Sequence, residues 1–211
     1  MKVLLVNGSP HEHGCTYTAL SEVAKTLTEE NVETEIYWIG TKPIAGCIGC
    51  YKCKELKQCV FQDQINDFTK KAAEVDGFVF GSPVYFSGMA GGMMSFMDRA
   101  FFSASNQEPH PYRFKPAAAV VSSRRAGTTS ALDQINKYFM YGQMPVISSR
   151  YWNMVHGKTP EQVIQDAEGM QVMRVLGRNI AWFLKLKEAG EKAGVLPPVQ
   201  EEPRISTNFI R

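Results

Sequence analysis

The sequence lacks the features that mark membrane proteins and nucleic-acid-binding proteins. It has no run of ~18 apolar residues, so no transmembrane helix is predicted. Its formal net charge is only +2 at pH 7, which is too small to favour nucleic acid or an anionic membrane as a partner. The first apolar run covers only residues 3–6, which is too short for a signal peptide. We therefore expect a cytoplasmic protein.

Two common nucleotide-binding patterns are also missing. The glycine–lysine P-loop of ATP-binding proteins is absent, and so is the GxGxxG fingerprint of dinucleotide-binding folds. Low-complexity segments and short internal repeats are missing as well. Hydrophobic residues make up 44% and charged residues 21% of the 211 positions, an ordinary composition for a globular domain that contradicts disorder along the whole chain.

Strand and helix patterns alternate along the chain. Strands are predicted at residues 3–6, 32–39, 77–80, 116–123 and 144–147, and helices at 16–30, 63–73, 88–102, 128–141 and 160–187. Thr16 or Thr18 is the expected N-cap of the first helix, and Asp63 that of the second. This alternation predicts an α/β fold with a parallel sheet. Five strands fit a flavodoxin-like three-layer sandwich with the strand order 2-1-3-4-5. The predicted domain covers residues 1–190 with a cysteine loop at 43–62, and residues 191–211 form a C-terminal tail.

Three of the predicted strands end in loops that carry small or hydroxyl-bearing residues. In an open parallel sheet, ligands bind beyond the carboxyl ends of such strands. The first loop, residues 8–18, precedes a helix whose free N–H groups could hold a phosphate, although it also fits a plain strand–helix turn. The second, residues 82–88, adds Tyr85 and Phe86, which could wall a flavin ring or pack into the core. The third, residues 122–127, carries Arg124, which would by default be a solvated surface residue.

The segments NGSPHEHGCTYT, GSPVYFSGMAGGMMSFMDR and KPAAAVVSSRRAG, in this order, resemble the NADPH-dependent FMN reductase family of flavodoxin-like proteins. The resemblance covers about residues 1–185. It implies FMN at the carboxyl ends of the strands, NAD(P)H as electron donor, and a homodimer or homotetramer. It also makes Asp98 and Arg99 a structural pair on their helix.

The resemblance also implies the residues that surround the cofactor. Those around the FMN phosphate are Ser9, His11, Thr16, Tyr17 and Thr18. Those that line the ring are Pro83, Val84, Tyr85, Phe86 and Ser87, and those that flank it are Ser122, Arg124 and Gly127. The flavin itself performs the chemistry in such proteins, so no general acid or base is assigned.

Four of the five cysteines, namely Cys47, Cys50, Cys53 and Cys59, fall within thirteen residues with the spacing C-x2-C-x2-C-x5-C. Structural disulfides are rare in the cytoplasm, so this cluster favours metal or redox chemistry. Iron–sulfur clusters use such compact runs, whereas zinc sites more often separate two cysteine pairs by a longer gap. Together with the flavin loops, the pattern resembles the iron-sulfur flavoproteins, in which four cysteines bind a 4Fe-4S cluster beside the FMN of a neighbouring subunit. The alternative is four free thiols; the fifth cysteine, Cys15, is interpreted as a packing residue.

Two functions follow from these patterns. The first is an FMN-dependent oxidoreductase that moves electrons from NAD(P)H to a flavin, a quinone or another small acceptor. The second is an electron carrier that accepts electrons from ferredoxin and has no nicotinamide site. A cluster would favour the carrier, and cysteines without iron would favour the reductase.

Overall fold

The structure of the protein is a computed structural model that describes residues 1–199 together with 202, 205, 207 and 209. Five parallel strands form one sheet in the order β2-β1-β3-β5-β6, and a sixth, two-residue strand pairs antiparallel with the end of β3. The strands are β1 (Lys2–Asn7), β2 (Glu33–Trp38), β3 (Gly77–Tyr85), β4 (Gly88–Met89), β5 (Ala117–Ser123) and β6 (Met154–His156). Apart from β4, this is the predicted flavodoxin-like order.

Helices cover both faces of the sheet, which confirms the three-layer sandwich. They are α1 (Cys15–Glu29), α2 (Cys53–Leu56), α3 (Gln64–Ala73), α4 (Gly91–Ala104), α5 (Thr128–Tyr141), α6 (Pro160–Gln165) and α7 (Ala167–Lys192). In β1, Leu4 and Val6 face the core beneath α3, α4 and α5, whereas Val3 and Leu5 face the core beneath α1 and α7. Because both faces are buried, the strand is apolar without interruption, as is usual in parallel sheets.

The last strand differs from the prediction. The segment predicted at residues 144–147 makes only an isolated bridge between Val146 and Ala117, and the strand that pairs with β5 is Met154–His156. The Pro145 carbonyl accepts from the Ala117 N–H, and the Ile147 N–H donates to the Ala117 carbonyl, both at 2.9 Å. Pairing stops after Ile147, and the chain returns to the sheet edge at Met154.

The helix predicted at residues 160–187 is also divided. It is broken at Asp166, whose carboxylate accepts hydrogen bonds from the N–H groups of Gly169 at 2.9 Å and His156 at 2.7 Å. Asp166 therefore starts α7 as its N-cap while it ties that helix to β6.

Two other predictions concern the domain boundary and membrane-spanning helices. The division into residues 1–190 and a tail at 191–211 stays a prediction, since part of that tail lies outside the described residues. Within the described part of the chain, no helix combines the length and apolar character needed to cross a membrane.

Candidate functional site

The carboxyl ends of β1, β3 and β5 lie side by side, so the three predicted loops meet at one edge of the sheet. The Gly8 N–H donates to the Gly81 carbonyl at 2.8 Å, which joins the first loop to β3. The hydroxyls of Thr16 and Ser122 are 2.8 Å apart, which joins the first loop to the third. In this architecture, ligands usually bind where the loops at the carboxyl ends of the strands meet, at a switch in strand order.

The first loop is held in place by Asn7, the last residue of β1. Its Nδ2 donates to the Glu12 carbonyl at 2.9 Å, and its Oδ1 accepts from the Ser9 N–H at 3.1 Å. The Ser9 carbonyl accepts from the indole Nε1 of Trp38 at 2.8 Å, and the Ser9 Oγ accepts from the His11 N–H at 3.1 Å. These four hydrogen bonds hold the loop in place. Asn7 and Trp38 are not among the residues predicted from the sequence, although an Asn that ends a strand before Gly is a typical turn former.

The helix after this loop begins without a capping side chain. Its N-cap is Gly14, no side chain accepts from the first N–H groups, and its first turn holds no acidic residue. The expected caps, Thr16 and Thr18, lie inside the helix, where Thr18 Oγ1 donates to the Gly14 carbonyl at 3.2 Å. The N–H groups of residues 15–17 therefore lack partners within the helix. Such an end, with its positive dipole, suits an anionic oxygen group such as a phosphate.

The predicted phosphate residues occupy different positions around this end. Ser9 and Thr16 are buried, Tyr17 and Thr18 are half-buried, and His11 is exposed. The buried Thr16 hydroxyl bonds to Ser122, so this side chain joins two loops. The groups best placed to donate hydrogen bonds to an anion are the Ser9 hydroxyl and the N–H groups of residues 15–17.

The second loop forms a tight hairpin between β3 and β4. Tyr85 pairs with Gly88, and the two residues between them, Phe86 and Ser87, have φ values of +50° and +61°. Positive φ at both central residues is the pattern of a type I′ turn, which Asn and Gly usually occupy. Phe86 is fully exposed and Tyr85 is about half exposed, at 47%. Neither aromatic ring packs into the core, so both flat surfaces are presented at the hairpin.

The third loop approaches this hairpin closely at Gly127. Gly127 has a φ of +89°, and a Cβ at this position would lie 2.8 Å from the Cα of Ser87. Only glycine tolerates both the backbone conformation and the contact. Ser122 is buried, and Arg124 is exposed on the same loop. The third loop therefore packs directly on the hairpin, and it carries two exposed charged side chains, Arg124 and Arg125.

The four clustered cysteines lie apart from these loops and line one small pocket together with Arg99 and Phe102. Cys47 and Cys50 are exposed, Cys59 is half-buried and Cys53 is buried. Burial raises the pKa of the Cys53 thiol, and the neighbouring thiolates raise it further.

Across the described residues, no group of three or more His, Cys, Asp or Glu side chains is placed to hold a metal ion, so neither a zinc site nor a cluster site is evident in this arrangement. Four thiolates are nevertheless the donor set by which iron–sulfur clusters are bound. Cys15 lies elsewhere, with its thiol directed at the Gly157 carbonyl at 3.6 Å, and packs as predicted.

The prediction that Asp98 and Arg99 form a pair is wrong. Arg99 instead forms a two-pronged salt bridge with Asp63, at 2.7 and 2.8 Å, whereas Asp98 accepts a hydrogen bond from the Tyr138 hydroxyl at 2.5 Å. Neighbouring residues on a helix point in different directions and cannot face each other. Asp63 keeps its predicted role as the N-cap of α3, where it accepts from the Ile65 N–H.

Known proteins resemble this chain both in sequence and in fold. The sequence model of the family described as NADPH-dependent FMN reductase matches residues 1–159. An iron-sulfur flavoprotein of Methanocaldococcus jannaschii is 33% identical over 196 residues, which cover 88% of this chain and 98% of that protein. Another iron-sulfur flavoprotein, from Archaeoglobus fulgidus, is 27% identical over 87% of this chain and 97% of its own length.

Among solved structures, a flavodoxin from the domain Archaea superposes with a TM-score of 0.58 at 17% identity, covering 88% of this chain and 99% of that one. RosB with a bound riboflavin-5′-phosphate derivative superposes with a TM-score of 0.68 at 12% identity, over 100% of this chain and 96% of its own. Similarity at such low identity supports the shared fold alone.

Proposed function

Because this chain belongs to the NADPH-dependent FMN reductase family, we propose that it is an FMN-dependent oxidoreductase that takes electrons from NAD(P)H. The family assigns a flavin oxidoreductase or electron carrier; the donor and the small acceptor, a flavin or a quinone, are our proposal. The observation that carries it is the meeting of three loops at one sheet edge, where an uncapped helix start and an exposed aromatic hairpin lie together.

FMN fits this edge by the chemistry of its two ends. The N–H groups of residues 15–17 and the Ser9 hydroxyl would hold the phosphate. The hairpin from Pro83 to Ser87 and the loop at Ser122, Arg124 and Gly127 would hold the ring. When bound, FMN supplies the ability to take up two electrons as a hydride and release them singly. The protein's part is to fix the ring against the hairpin and to shield it from water.

We further propose that Cys47, Cys50, Cys53 and Cys59 hold a 4Fe-4S cluster. Three observations support this proposal: the four cysteines line one pocket, two of their sulfurs accept hydrogen bonds from the buried Arg99 and the half-buried Asn106, and relatives at 33% and 27% identity carry the name iron-sulfur flavoprotein. All five cysteines are free, which suits a reducing compartment such as the cytoplasm.

Cysteine substitutions test the cluster directly. Cys53→Ser should abolish iron and acid-labile sulfide binding, because a serine hydroxyl replaces one of four thiolates, whereas the control Cys15→Ser should leave both unchanged. Iron and sulfide are measured in protein purified without oxygen, and the visible spectrum is recorded before and after dithionite. Iron-free wild-type protein would contradict the cluster and leave the flavin proposal standing.

The electron-carrier function is a second candidate, because an intact cluster would favour it. Anaerobic stopped-flow reduction of the bound flavin by NADH, NADPH and reduced ferredoxin separates the two. The reductase proposal expects one of the nicotinamides to reduce the flavin fastest. Reduction by ferredoxin alone would replace the reductase with the carrier.

We also propose a homodimer or homotetramer. Three large apolar side chains of the cysteine loop, Ile48, Tyr51 and Leu56, are each at least half exposed beside the cysteine pocket. A second copy of the chain would remove them from water, which is the usual fate of such patches. Light scattering on a size-exclusion column should give a mass at least twice the 23.6 kDa of one chain; a monomer would contradict this.

A further inference from the structure

Arg99 is among the largest fully buried side chains in the described part of the protein, and it lies at the base of the cysteine pocket. Its side chain is 0% exposed, whereas that of its partner Asp63 is 40% exposed. Burying a guanidinium is costly unless its donors are all well placed. The contacts of Arg99 therefore indicate what this charge is used for.

The guanidinium contacts both ends of the cysteine loop. Nη1 donates to the Ala45 carbonyl at 3.4 Å, just before the first cysteine, and the guanidinium carbon lies 4.8 Å from the centre of the Phe61 ring, just after the last. Its Nε donates to the Sγ of Cys59 at 3.3 Å. If Arg99 served only to bind Asp63, the two-pronged contact would suffice, and the third N–H would not need to face a sulfur.

The four cysteines differ in their hydrogen-bond donors and in their exposure to solvent. The Cys59 Sγ accepts a hydrogen bond from the Arg99 Nε, and the Cys53 Sγ accepts one from the Asn106 Nδ2 at 3.7 Å. Cys47 and Cys50 are exposed to solvent. The loop's other cations, Lys52, Lys54 and Lys57, are exposed as well, so water and salt screen their charges. Arg99, on α4, is thus the cation beside this loop whose charge acts through protein and not through water.

Hydrogen bonds to the sulfur ligands and local charge are among the main determinants of the potential of an iron–sulfur cluster. Reduction adds negative charge to the cluster and its thiolates. A buried cation that donates to one of those sulfurs stabilises the reduced form more than the oxidised form. Asp63 acts in the opposite sense, because its carboxylate offsets part of the Arg99 charge.

We propose that Arg99 is a positioning residue that holds the Cys59 sulfur by a charged hydrogen bond and raises the reduction potential of the cluster, with Asp63 moderating that effect. This inference rests on the proposed 4Fe-4S cluster at the four cysteines. It assigns a pair of residues to the control of the cluster's potential, separate from the thiolates that bind it.

The test compares the cluster potentials of wild type, Arg99→Gln, Asp63→Asn and Lys54→Gln in the full chain with FMN, by redox titration monitored by electron paramagnetic resonance. Arg99→Gln should lower the reduction equilibrium constant at least tenfold, which is about 59 mV for one electron. Asp63→Asn should raise the potential, since Asn keeps the helix cap but removes the negative charge. Lys54→Gln, the surface control on the same loop, should change the equilibrium less than threefold.

If the effect is one of charge, the cluster potential shifts in opposite directions in Arg99→Gln and Asp63→Asn. If the effect comes from a disordered loop, both variants lose the same salt bridge and the potential shifts in the same direction in both. Shifts of the same sign, or no shift beyond the control, would overturn the inference. If Arg99→Gln assembles no cluster, Asp63→Asn decides alone: a rise supports the inference, and a fall or no change overturns it. A wild-type chain without iron would instead overturn the proposed cluster.

Discussion

At the scale of residues, we propose that the Ser9 hydroxyl is the side-chain group that contacts the FMN phosphate. Its Oγ accepts from the His11 N–H at 3.1 Å, which leaves its own hydrogen available for an anion. Ser9→Ala should therefore weaken FMN about tenfold, or about 1.4 kcal/mol, and leave riboflavin, which lacks the phosphate, almost unaffected. Titrations that follow flavin fluorescence measure both affinities.

The control for this change is Thr28→Ala, at the far end of the same helix, where the hydroxyl only donates back to the Ala24 carbonyl. It should alter neither affinity. An equal loss of FMN and riboflavin in Ser9→Ala would mean that Ser9 shapes the loop and does not contact the phosphate.

Gly127 offers a second test at this scale. Gly127→Ala adds a Cβ 2.8 Å from the backbone of Ser87 at a φ of +89°. We expect a loss of about 2–3 kcal/mol in stability and a clear loss of FMN affinity, because the hairpin must move. Thermal unfolding and FMN titration measure the two effects.

Gly40 provides a matched control, since its φ is +77° but a Cβ there would meet nothing within 4 Å. Gly40→Ala should cost only about 1 kcal/mol for the backbone conformation, with FMN binding retained. Equal behaviour of the two variants would show that the contact between the third loop and the hairpin does not support the site.

At the scale of elements, residues 105–116 form the connection between α4 and β5, and His110 holds it together. Its Nδ1 accepts from the N–H groups of Tyr112 at 3.2 Å and Arg113 at 3.1 Å. Burial, and then the charge of Arg113, lower the pKa of His110 from 6.5 to about 4. Between those values the unfolded chain binds a proton that the folded chain does not, so stability falls as the pH drops through this range.

His110→Asn should keep an acceptor near the same place and remove the titration. The loss of stability between pH 6.5 and 4.5 should then shrink by about 1 kcal/mol, which is roughly half the full linkage value because solvent screens this partly exposed group. Urea unfolding at several pH values measures this, with His13→Asn, an exposed histidine, as the control. An unchanged pH slope in His110→Asn would show that this histidine does not govern the connection.

Element boundaries also show where sequence patterns reach their limit. The apolar strand β1 and the Asp63 cap are local features, and the sequence predicted both. The last strand was misplaced because residues 144–147 look like a strand, yet they pair with β5 through the single bridge at Val146. The break at Asp166 was missed because the helical pattern runs across it, and only the contact with β6 shows why the chain caps there.

At the scale of the whole molecule, the fold could be predicted because alternating apolar strands and amphipathic helices allow few arrangements. The adjacency of the three loops followed from strand order alone. The contacts that complete both candidate sites did not, because they join residues far apart in the sequence. Trp38 bonds to Ser9 across 29 positions, and Arg99 bonds to Cys59 across 40; neither leaves a periodic signal.

We propose above all that one edge of this sheet binds FMN through three loops, and a crystal structure of the protein with FMN would decide this. We expect the phosphate within hydrogen-bond distance of the N–H groups of residues 15–17, and the ring between the Pro83–Ser87 hairpin and the loop that contains Gly127. A nucleotide bound at any other surface, or none at a saturating FMN concentration, would contradict it.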